Sequence, residues 1–447
     1  MPLDHVIVLM LENNSFDRML GDLFPPRPDP VSPGGGVKGA AAQYSNIDAT
    51  TGKQYVMTAT TAREMPEDPG HDLSDVLSQI AHHGSGFVSN FVKKYPHSPA
   101  TERQQIMSYY ADGALPVLHA LAKNFTVCDR WFSSMPGPTW PNRLFLYSGT
   151  CWGFTDMNSL HYWAQPTLFD LLGNNGVPWK LYYGDISSTY ILVNEPDPTS
   201  TGSLRYFYQD AKGPEADFPK FSIIEPGYFG KTPSDQHPPH DVFRGEALIA
   251  EVYNALRAND ALWQRSLLVV TYDEHGGFYD HIDPPASIAP DDRRDGSGFN
   301  FDRYGVRVPA VLISPWLDPG VITDTFDHTS LVKFVLQHAG LDSTGLGVRV
   351  SAAATNTIRP HLRQTPRDTT HVLPSVPVPN FFPPQEQPEL TDHQIALADM
   401  TRVLASRIQA PSVSVPLLRR SLDQSPEREA QLAIDRFEAF LLDRAKS

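Results

Sequence analysis

The densest group of ionisable side chains in the sequence is Asp273-Glu-His-Gly-Gly-Phe-Tyr-Asp-His281, which directly follows an apolar run. Its first two residues are adjacent carboxylates, and its two glycines permit a sharp turn and a close approach of backbone to a ligand. A second apolar run, near the N-terminus, leads into Glu12-Asn13. Carboxylate and amide oxygens are hard ligands of the kind that Ca, Mg and Mn ions bind. We predict that four side chains hold one such divalent cation: Glu12, Asn13, Asp273 and Glu274.

The electrostatics of this group favours the same interpretation. Acidic side chains that converge without a counter-charge repel one another unless a cation lies between them. Two alternatives remain open: Asn13 and Ser15 cap a helix while Glu12 faces solvent, or the paired acids form an ordinary surface turn. The residue types are compatible with all three metals, so the sequence does not identify the ion.

A hydroxyl group that could act as a nucleophile occurs in Met135-Pro-Gly-Pro-Thr139-Trp-Pro-Asn-Arg143, which is typical of a loop that enters a helix. We predict Thr139 as the N-cap, where backbone N–H groups and the helix dipole stabilise an alkoxide or an attached phosphoryl group. Asn142 and Arg143 follow within the first turn, where they either contact a phosphate oxygen or anchor the loop. The alternative is that Thr139 is a helix cap and nothing more.

Three of the 16 histidines occur beside these segments or in turns: His71 after Asp68-Pro-Gly70, His237 before two prolines, and His281 at the end of the acidic cluster. Phosphoryl transfer needs a group that protonates the leaving alkoxide and donors for the non-bridging oxygens, and histidine supplies both near neutral pH. Each of them taken alone is equally compatible with a structural histidine.

The elements that position these side chains are short, continuously apolar runs typical of buried parallel strands: Val6–Leu11, Leu267–Tyr272, Val308–Ser314 and, more weakly, Trp179–Tyr183. Helical patterns such as Gly245–Arg257 lie between them. This alternation predicts an α/β fold with a central sheet, and in such sheets a ligand binds beyond the carboxyl ends of the strands. The polar residues after the first two runs stand at those ends.

The C-terminal part of the chain has a different composition. Arg359–Glu389 is rich in proline, and two amphipathic helices are predicted after it, at about Thr391–Ile408 and Pro426–Ala445. We therefore predict a catalytic domain over residues 1–355, with residues 356–447 as a proline-rich arm and helices packed on it or appended to it.

Composition limits the partners and the compartment. With 36 Lys and Arg against 51 Asp and Glu, the formal net charge is −15, which argues against nucleic acid as a partner. No signal peptide or transmembrane segment is evident, so a cytoplasmic protein is expected by default, with export left open. Cys128 and Cys151 are compatible with one disulfide or with two thiols. Oligomeric state is not predicted.

Taken together, the motifs resemble those of the phosphoesterase family that includes bacterial phospholipases C, plant non-specific phospholipases C and a bacterial acid phosphatase, within the wider alkaline-phosphatase and sulfatase fold. They occur in the family's order over roughly residues 4–340. The matching segments are Glu12–Asp17 with Gly21, Gly70-His71, Thr139–Arg143, His237-Pro-Pro, Asp273–His281 with Pro284-Pro285, and Gly305–Pro309 leading to Ser314-Pro315.

The resemblance implies a three-layer α/β sandwich with a mostly parallel sheet, a metal at Glu12, Asn13, Asp273 and Glu274, and Thr139 as the nucleophile of a covalent phospho-enzyme. It also implies that His71 and His237 contact the phosphoryl group. We assign Asn142, Arg143 and His281 to substrate binding. Three positions depart from the family's pattern, Asn14, Arg18 and Asp72; none is a proposed ligand, and the departures bear on the residues that support the ligands and on substrate preference.

The function expected from these features is a metal-dependent phosphoric ester hydrolase of phospholipase C type that acts on phospholipid or another small phosphate ester. An acid phosphatase with broad specificity is the alternative, because a phosphomonoester needs the same metal and nucleophile. An inactive homologue that binds metal or lipid is a third possibility. Thr139 argues against a sulfatase, whose nucleophile is a modified cysteine or serine.

Overall fold

The computed structural model describes residues 3–158, 164–192, 197–230, 232–343, 345–352, 357–380, 389–407 and 425–444. Fourteen strands lie within these ranges: β1 His5–Leu11, β2 Pro26–Arg27, β3 Gly34–Gly35, β4 Ser45–Ile47, β5 Gln54–Val56, β6 Thr58–Thr60, β7 Ser108–Tyr110, β8 Thr126–Cys128, β9 Trp179–Tyr183, β10 Thr201–Ser203, β11 Phe221–Glu225, β12 Ser266–Tyr272, β13 Ala310–Ile313 and β14 Gly320–Ile322.

Fifteen α-helices lie in the same described ranges: α1 Phe16–Leu20, α2 Leu73–Gln79, α3 Ala81–Gly84, α4 Phe87–Lys94, α5 Ala100–Gln105, α6 Leu118–Asn124, α7 Thr139–Ser148, α8 Leu168–Asn174, α9 Leu204–Asp210, α10 Val242–Arg257, α11 Asp260–Trp263, α12 His328–Ala339, α13 Val348–Ala352, α14 Asp392–Ala405 and α15 Pro426–Arg444. The predicted helices at 245–257, 391–408 and 426–445 correspond to α10, α14 and α15. Residues 408 and 445, at two of the predicted ends, lie outside the described ranges.

Eight strands form one central sheet in the order β10-β9-β11-β1-β12-β13-β8-β14. All neighbours in it pair in parallel except β13, which runs antiparallel to both β12 and β8. Strands β1, β11 and β12 are buried at every residue. Because successive side chains of a strand point to opposite faces, full burial means that both faces of the sheet are covered. The predicted α/β sandwich of three layers with a mostly parallel sheet is confirmed.

One strand prediction is wrong in direction. The run at 308–314 forms β13, which is antiparallel and shorter than predicted. An antiparallel strand whose two faces are both covered is as apolar as a parallel strand, so its sequence does not reveal its direction. Strands β8, β10, β11 and β14, only three to five residues long, were not predicted.

The C-terminal helices α14 and α15 pack against each other and contribute to the same buried core as the central strands. Phe437 of α15 contacts the rings of Tyr183 and Tyr190, with centroid separations of 5.4 and 5.1 Å. The proline-rich arm is held on α10, where Asn254 Nδ2 donates to Val376 O at 2.8 Å. The region after residue 355 is thus packed on the rest of the chain, and a domain boundary there stays a prediction.

Two further expectations concern the cysteines and the membrane. Cys128 and Cys151 are both buried free thiols, so the disulfide alternative does not hold in this structure. No helix among the described residues has the length and the apolar character needed to cross a membrane.

Candidate active site

The predicted metal ligands meet at the carboxyl ends of two neighbouring strands. Leu11 of β1 is paired with Tyr272 of β12, so the next residues on each strand, Glu12 and Asp273, are adjacent. The turn after β12 packs tightly on β1, because Asn13 N donates to Asp273 Oδ1 at 3.3 Å. Gly276 makes this approach possible: it has φ +64°, and a Cβ atom there would lie 2.3 Å from the carbonyl oxygen of Asn13.

A buried arginine lies between these acids. Arg143 Nη2 is 2.7 Å from Glu12 Oε1, and its Nε is 3.2 Å from Asp273 Oδ2. Its third nitrogen, Nη1, lies 3.7 Å from Glu225 Oε1 at the end of β11. The acids therefore do have a counter-charge, contrary to the sequence argument. Even so, three buried carboxylates share this one guanidinium, and the buried carboxylate of Glu274 adjoins that of Asp273.

This surplus of negative charge is visible in the ionisation of the acids. Burial, and then the charge of Glu12, raise the pKa of the Asp273 carboxyl well above its usual range. Burial opposes ionisation of Glu12 too, yet the charges of His393 and Arg143 hold its pKa well below its usual range. Two ligand atoms are buried without a hydrogen-bond partner among the described residues, Asn13 Oδ1 and Glu274 Oε1. Unpaired oxygen atoms beside excess carboxylate fit a hard divalent cation.

Thr139 lies against this group of acids at the start of α7. It is the first residue of the helix and Pro138 is the N-cap, one position earlier than predicted. Its Oγ1 is 3.5 Å from Glu12 Oε2, and its side chain is 1% exposed. The ten-residue helix places the positive end of its dipole beside this hydroxyl. In its first turn Pro141 has no N–H, and Trp140 N donates to Met157 Sδ at 3.2 Å.

The two residues predicted to bind substrate in the first turn of α7 are bound to protein groups instead. The amide of Asn142 accepts a hydrogen bond from Met135 N and donates to Gly137 O, at 3.1 and 2.9 Å. It therefore holds the loop that carries Thr139, which is the alternative left open for it. Arg143 is engaged by three carboxylates as described above. A contact between either residue and substrate stays a prediction.

His71 and His237 lie together, with ring centroids 5.6 Å apart. One possible ligand atom from each of His71, His237 and Asp68 lies within 4.8 Å of the other two. Burial lowers the pKa of each histidine, but the negative charges around it together outweigh burial, so the pKa of both is raised: Asp68 and Glu274 act on His71, and Asp68, Glu12 and Asp235 on His237. His237 Nε2 is buried and has no hydrogen-bond partner among the described residues. Both rings can therefore carry a proton near neutral pH.

The acidic cluster itself brings the His71 turn to the site. Gly277 has φ +73°, and a Cβ atom there would lie 2.7 Å from Gly70 O. His275 Nε2 lies 2.8 Å from Gln79 Oε1, and Gln79 Nε2 donates to Gly70 O at 2.6 Å. The two glycines of the cluster thus join three distant segments, at residues 13, 70 and 276.

His281 lies in a separate network. Its Nδ1 is 2.6 Å from Asp17 Oδ2, and Arg307 binds both Asp17 and Asp280 through contacts of 2.8–3.1 Å. Among the described residues, no polar contact joins His281 to Thr139 or to the predicted metal ligands. Although Asp17, Asp280 and His281 have the spacing of a metal site, Arg307 already supplies the positive charge that would otherwise come from an ion. A substrate contact by His281 stays a prediction.

Two residues of the site were missed in the sequence. Glu225 follows a short apolar run, as Glu12 and Asp273 do, so the same reasoning applied to 221–225 could have found it. His393 gives no local signal, because it stands in an amphipathic helix more than 100 residues after the acidic cluster. Its Nδ1 is 3.0 Å from Glu12 Oε1, and it is 2% exposed.

A cavity of about 410 Å³ opens beside Asp68. Its wall includes Lys94 and Tyr95 from the end of α4, Pro239 from the loop of His237, and Asp392 at the start of α14. Asp68 thus stands both in the wall of this cavity and beside the histidine pair. The cavity is large enough for a small polar head group.

The motifs and their geometry agree with a comparison with known protein families. The model of the Phosphoesterase family matches residues 3–342. The chain belongs to the Phosphoesterase family. The predicted family is confirmed, and this phosphoesterase is a phosphoric ester hydrolase. The match ends before α14, so His393 lies outside the matched residues.

Known relatives of this phosphoesterase include plant and bacterial enzymes. Non-specific phospholipase C6 of Arabidopsis thaliana is 34% identical over 90% of this chain and 81% of its own length. Phospholipase C B of Mycobacterium tuberculosis is 30% identical over 76% of this chain and 74% of its own. A solved structure of a protein in the alkaline phosphatase superfamily from Vibrio parahaemolyticus is 12% identical, covering 51% of this chain and 60% of that one, with a TM-score of 0.32.

Proposed function

We propose that this phosphoesterase is a metal-dependent phospholipase C that works through a covalent intermediate on Thr139. The observation that carries the proposal is the position of Thr139 Oγ1, at a helix N-terminus and 3.5 Å from a carboxylate of the predicted metal site. The positive end of the helix dipole favours the alkoxide form of this hydroxyl, whereas the neighbouring carboxylate disfavours it unless a cation lies between them. A cation bound by Glu12, Asn13, Asp273 and Glu274 supplies Lewis-acid chemistry, which lowers the pKa of a hydroxyl and neutralises phosphoryl oxygens.

In the first step, Thr139 Oγ1 releases its proton to solvent and attacks phosphorus, and the bond from phosphorus to the diacylglycerol oxygen breaks; the same proton is recovered from solvent when Thr139 leaves in the second step. The positive end of the α7 dipole stabilises the negative charge on the phosphoryl oxygens. The raised pKa of His71 and of His237 keeps a proton available for the departing alkoxide, so diacylglycerol leaves neutral. The product on the enzyme is a phosphodiester between Thr139 and the head group.

In the second step, water attacks the same phosphorus and Thr139 Oγ1 is the leaving group. The histidine that lost its proton in the first step takes one from the attacking water, and Thr139 regains a proton, so that the enzyme returns to its starting state. The products are diacylglycerol and the phosphorylated head group. The plant and mycobacterial relatives are named as phospholipases C, which supports this choice of substrate.

The experiment that tests the proposal compares para-nitrophenyl phosphorylcholine with para-nitrophenyl phosphate, each with and without EDTA, followed by addition of Mn, Mg or Ca. We expect faster hydrolysis of the diester, loss of activity with EDTA and recovery with one of the metals. Release of diacylglycerol from phosphatidylcholine vesicles checks the natural class of substrate. A preference for the monoester would favour the acid phosphatase, and binding of metal without turnover on either substrate would favour the inactive homologue.

A further inference from the structure

The C-terminal helix α14 places one of its side chains in the active site. His393 is the second residue of this helix, and its Nδ1 lies 3.0 Å from Glu12 Oε1. The ring packs between two aromatic side chains in edge-to-face geometry. The distances between ring centroids are 4.7 Å to Tyr228 and 6.4 Å to Trp140. Trp140 directly follows the proposed nucleophile. The helix start is itself fixed by a capping box between Thr391 and Gln394.

The two oxygens of Glu12 have different neighbours. Oε1 is contacted by both Arg143 Nη2 and His393 Nδ1, at 2.7 and 3.0 Å. Oε2 is left facing Thr139 Oγ1 at 3.5 Å. Two contacts on one oxygen fix the rotation of the carboxylate, and with it the direction in which the other oxygen points.

A purely structural role does not account for the other nitrogen of this histidine. His393 Nε2 is buried and has no hydrogen-bond partner among the described residues. An unpaired buried polar atom costs about 1–3 kcal/mol. An apolar residue would fill the same space without this cost. The contact with Glu12 is therefore the feature that explains a histidine at this position.

We infer that His393 is a positioning residue that orients Glu12 towards the metal and Thr139, and that α14 is therefore part of the active site. The residues matched by the family's model end at 342, so the matched part lacks this contact. The inference rests on the proposed function, since it concerns a ligand of the proposed metal site.

The test measures Mn²⁺ affinity by isothermal titration calorimetry on the full chain, alongside kcat and KM for para-nitrophenyl phosphorylcholine. We expect His393→Ala to weaken Mn²⁺ binding by about 10–100-fold and to lower kcat more than it raises KM. His393→Asn, whose amide can donate to Glu12 from a similar position, should recover a large part of both. Met400→Ala, a buried truncation on the same helix, should lower thermal stability without weakening Mn²⁺ binding.

The outcomes separate this inference from the proposed function. A wild-type protein that binds no Mn²⁺ and is insensitive to EDTA overturns the metal-dependent function itself. A metal-dependent wild type with unchanged affinity and kcat in His393→Ala overturns the positioning role alone. Equal losses in His393→Ala and Met400→Ala also overturn it, because they would mean that α14 acts through stability. If His393→Ala does not fold, the same comparison is made with His393→Asn against His393→Phe, with equal affinities as the contradicting result.

Discussion

At the scale of single residues, the site is a balance of buried charge. Three carboxylates contact one guanidinium, and the pKa of Asp273 rises while that of Glu12 falls. Both acids are buried and both contact Arg143; the asymmetry arises because Glu12 alone also contacts His393. A cation bound here would lower the free energy of the ionised form of Asp273. Metal binding and the ionisation of this residue are therefore coupled.

Replacement of the proposed nucleophile should separate chemistry from metal binding. Thr139→Ala removes the hydroxyl but none of the proposed metal ligands, so we expect kcat to fall on the order of 10⁴-fold with Mn²⁺ affinity unchanged. Thr139→Ser, which keeps a hydroxyl, should retain measurable turnover. Steady-state kinetics and calorimetry check both variants. Activity of Thr139→Ala close to that of the wild type would remove Thr139 from the mechanism.

Replacement of a metal ligand should remove metal and activity together. Asp273→Asn replaces two carboxylate oxygens by one neutral amide oxygen, so we expect at least about tenfold weaker Mn²⁺ binding and a matching loss of activity at limiting metal. Asp283→Asn is the control, because Asp283 belongs to the same segment but is half-exposed and paired with His83 on the surface. Metal content measured by plasma mass spectrometry checks the result. A fully active Asp273→Asn enzyme without metal would contradict the cation.

At the scale of elements, a buried acid on α10 holds the start of α6. Glu246 accepts hydrogen bonds from Val117 N and Leu118 N, at 2.6 and 3.1 Å, which are donors that the helix itself leaves unpaired. Burial raises the pKa of Glu246 to about 7 from a usual value of 4.5. Between these two values the folded chain keeps a proton that the unfolded chain has released. The free energy of unfolding contributed by Glu246 therefore falls as pH rises from about 4.5 to about 7.

Glu246→Gln should remove this dependence on pH, because the amide still accepts the two hydrogen bonds but does not ionise. We expect the wild type to lose about 2 kcal/mol relative to the variant between pH 5 and pH 8. Urea denaturation at a series of pH values measures the difference. A difference that stays constant, or that grows in favour of the wild type as pH rises, would show that Glu246 is ionised in the fold.

At the scale of the whole molecule, the C-terminal helices belong to the core of the catalytic part. Leu397, Met400 and Phe437 are buried in the same cluster as β1 and β12, and the proline-rich arm is tied to α10 by hydrogen bonds. The presence of His393 in the site depends on this packing. Loss of the helices would thus affect both the stability of the fold and the geometry of the site.

Phe437→Ala tests whether α15 folds with the rest of the chain. Truncation of a phenylalanine that contacts Tyr183 and Tyr190 should lower the free energy of unfolding by about 3 kcal/mol in a single cooperative transition. Leu442→Ala on the same helix is the control, since Leu442 is 61% exposed and its loss should change stability by less than about 0.5 kcal/mol. Two separate transitions, with only the smaller one shifted by Phe437→Ala, would instead support an independent C-terminal domain.

The sequence by itself determined the fold class and the residues at the ends of β1 and β12. Those inferences succeeded because buried strands are locally apolar, and because a polar residue directly after such a strand stands at the edge where ligands bind. The motifs, with their order and spacing, were sufficient for the family. The short strands β8, β11 and β14 were too short to show a pattern above the background of loops.

Only the tertiary structure decided the direction of β13, the pairing of Arg143 with three acids, the separation of His281 from the site and the approach of His393. Each of these depends on contacts between residues far apart in the chain, which leave no local periodicity. Glu12 and His393 are separated by most of the sequence, and packing of α14 on the core is what brings them within 3.0 Å. Local pattern determines which side chains stand at strand ends, whereas long-range packing decides which charges meet there.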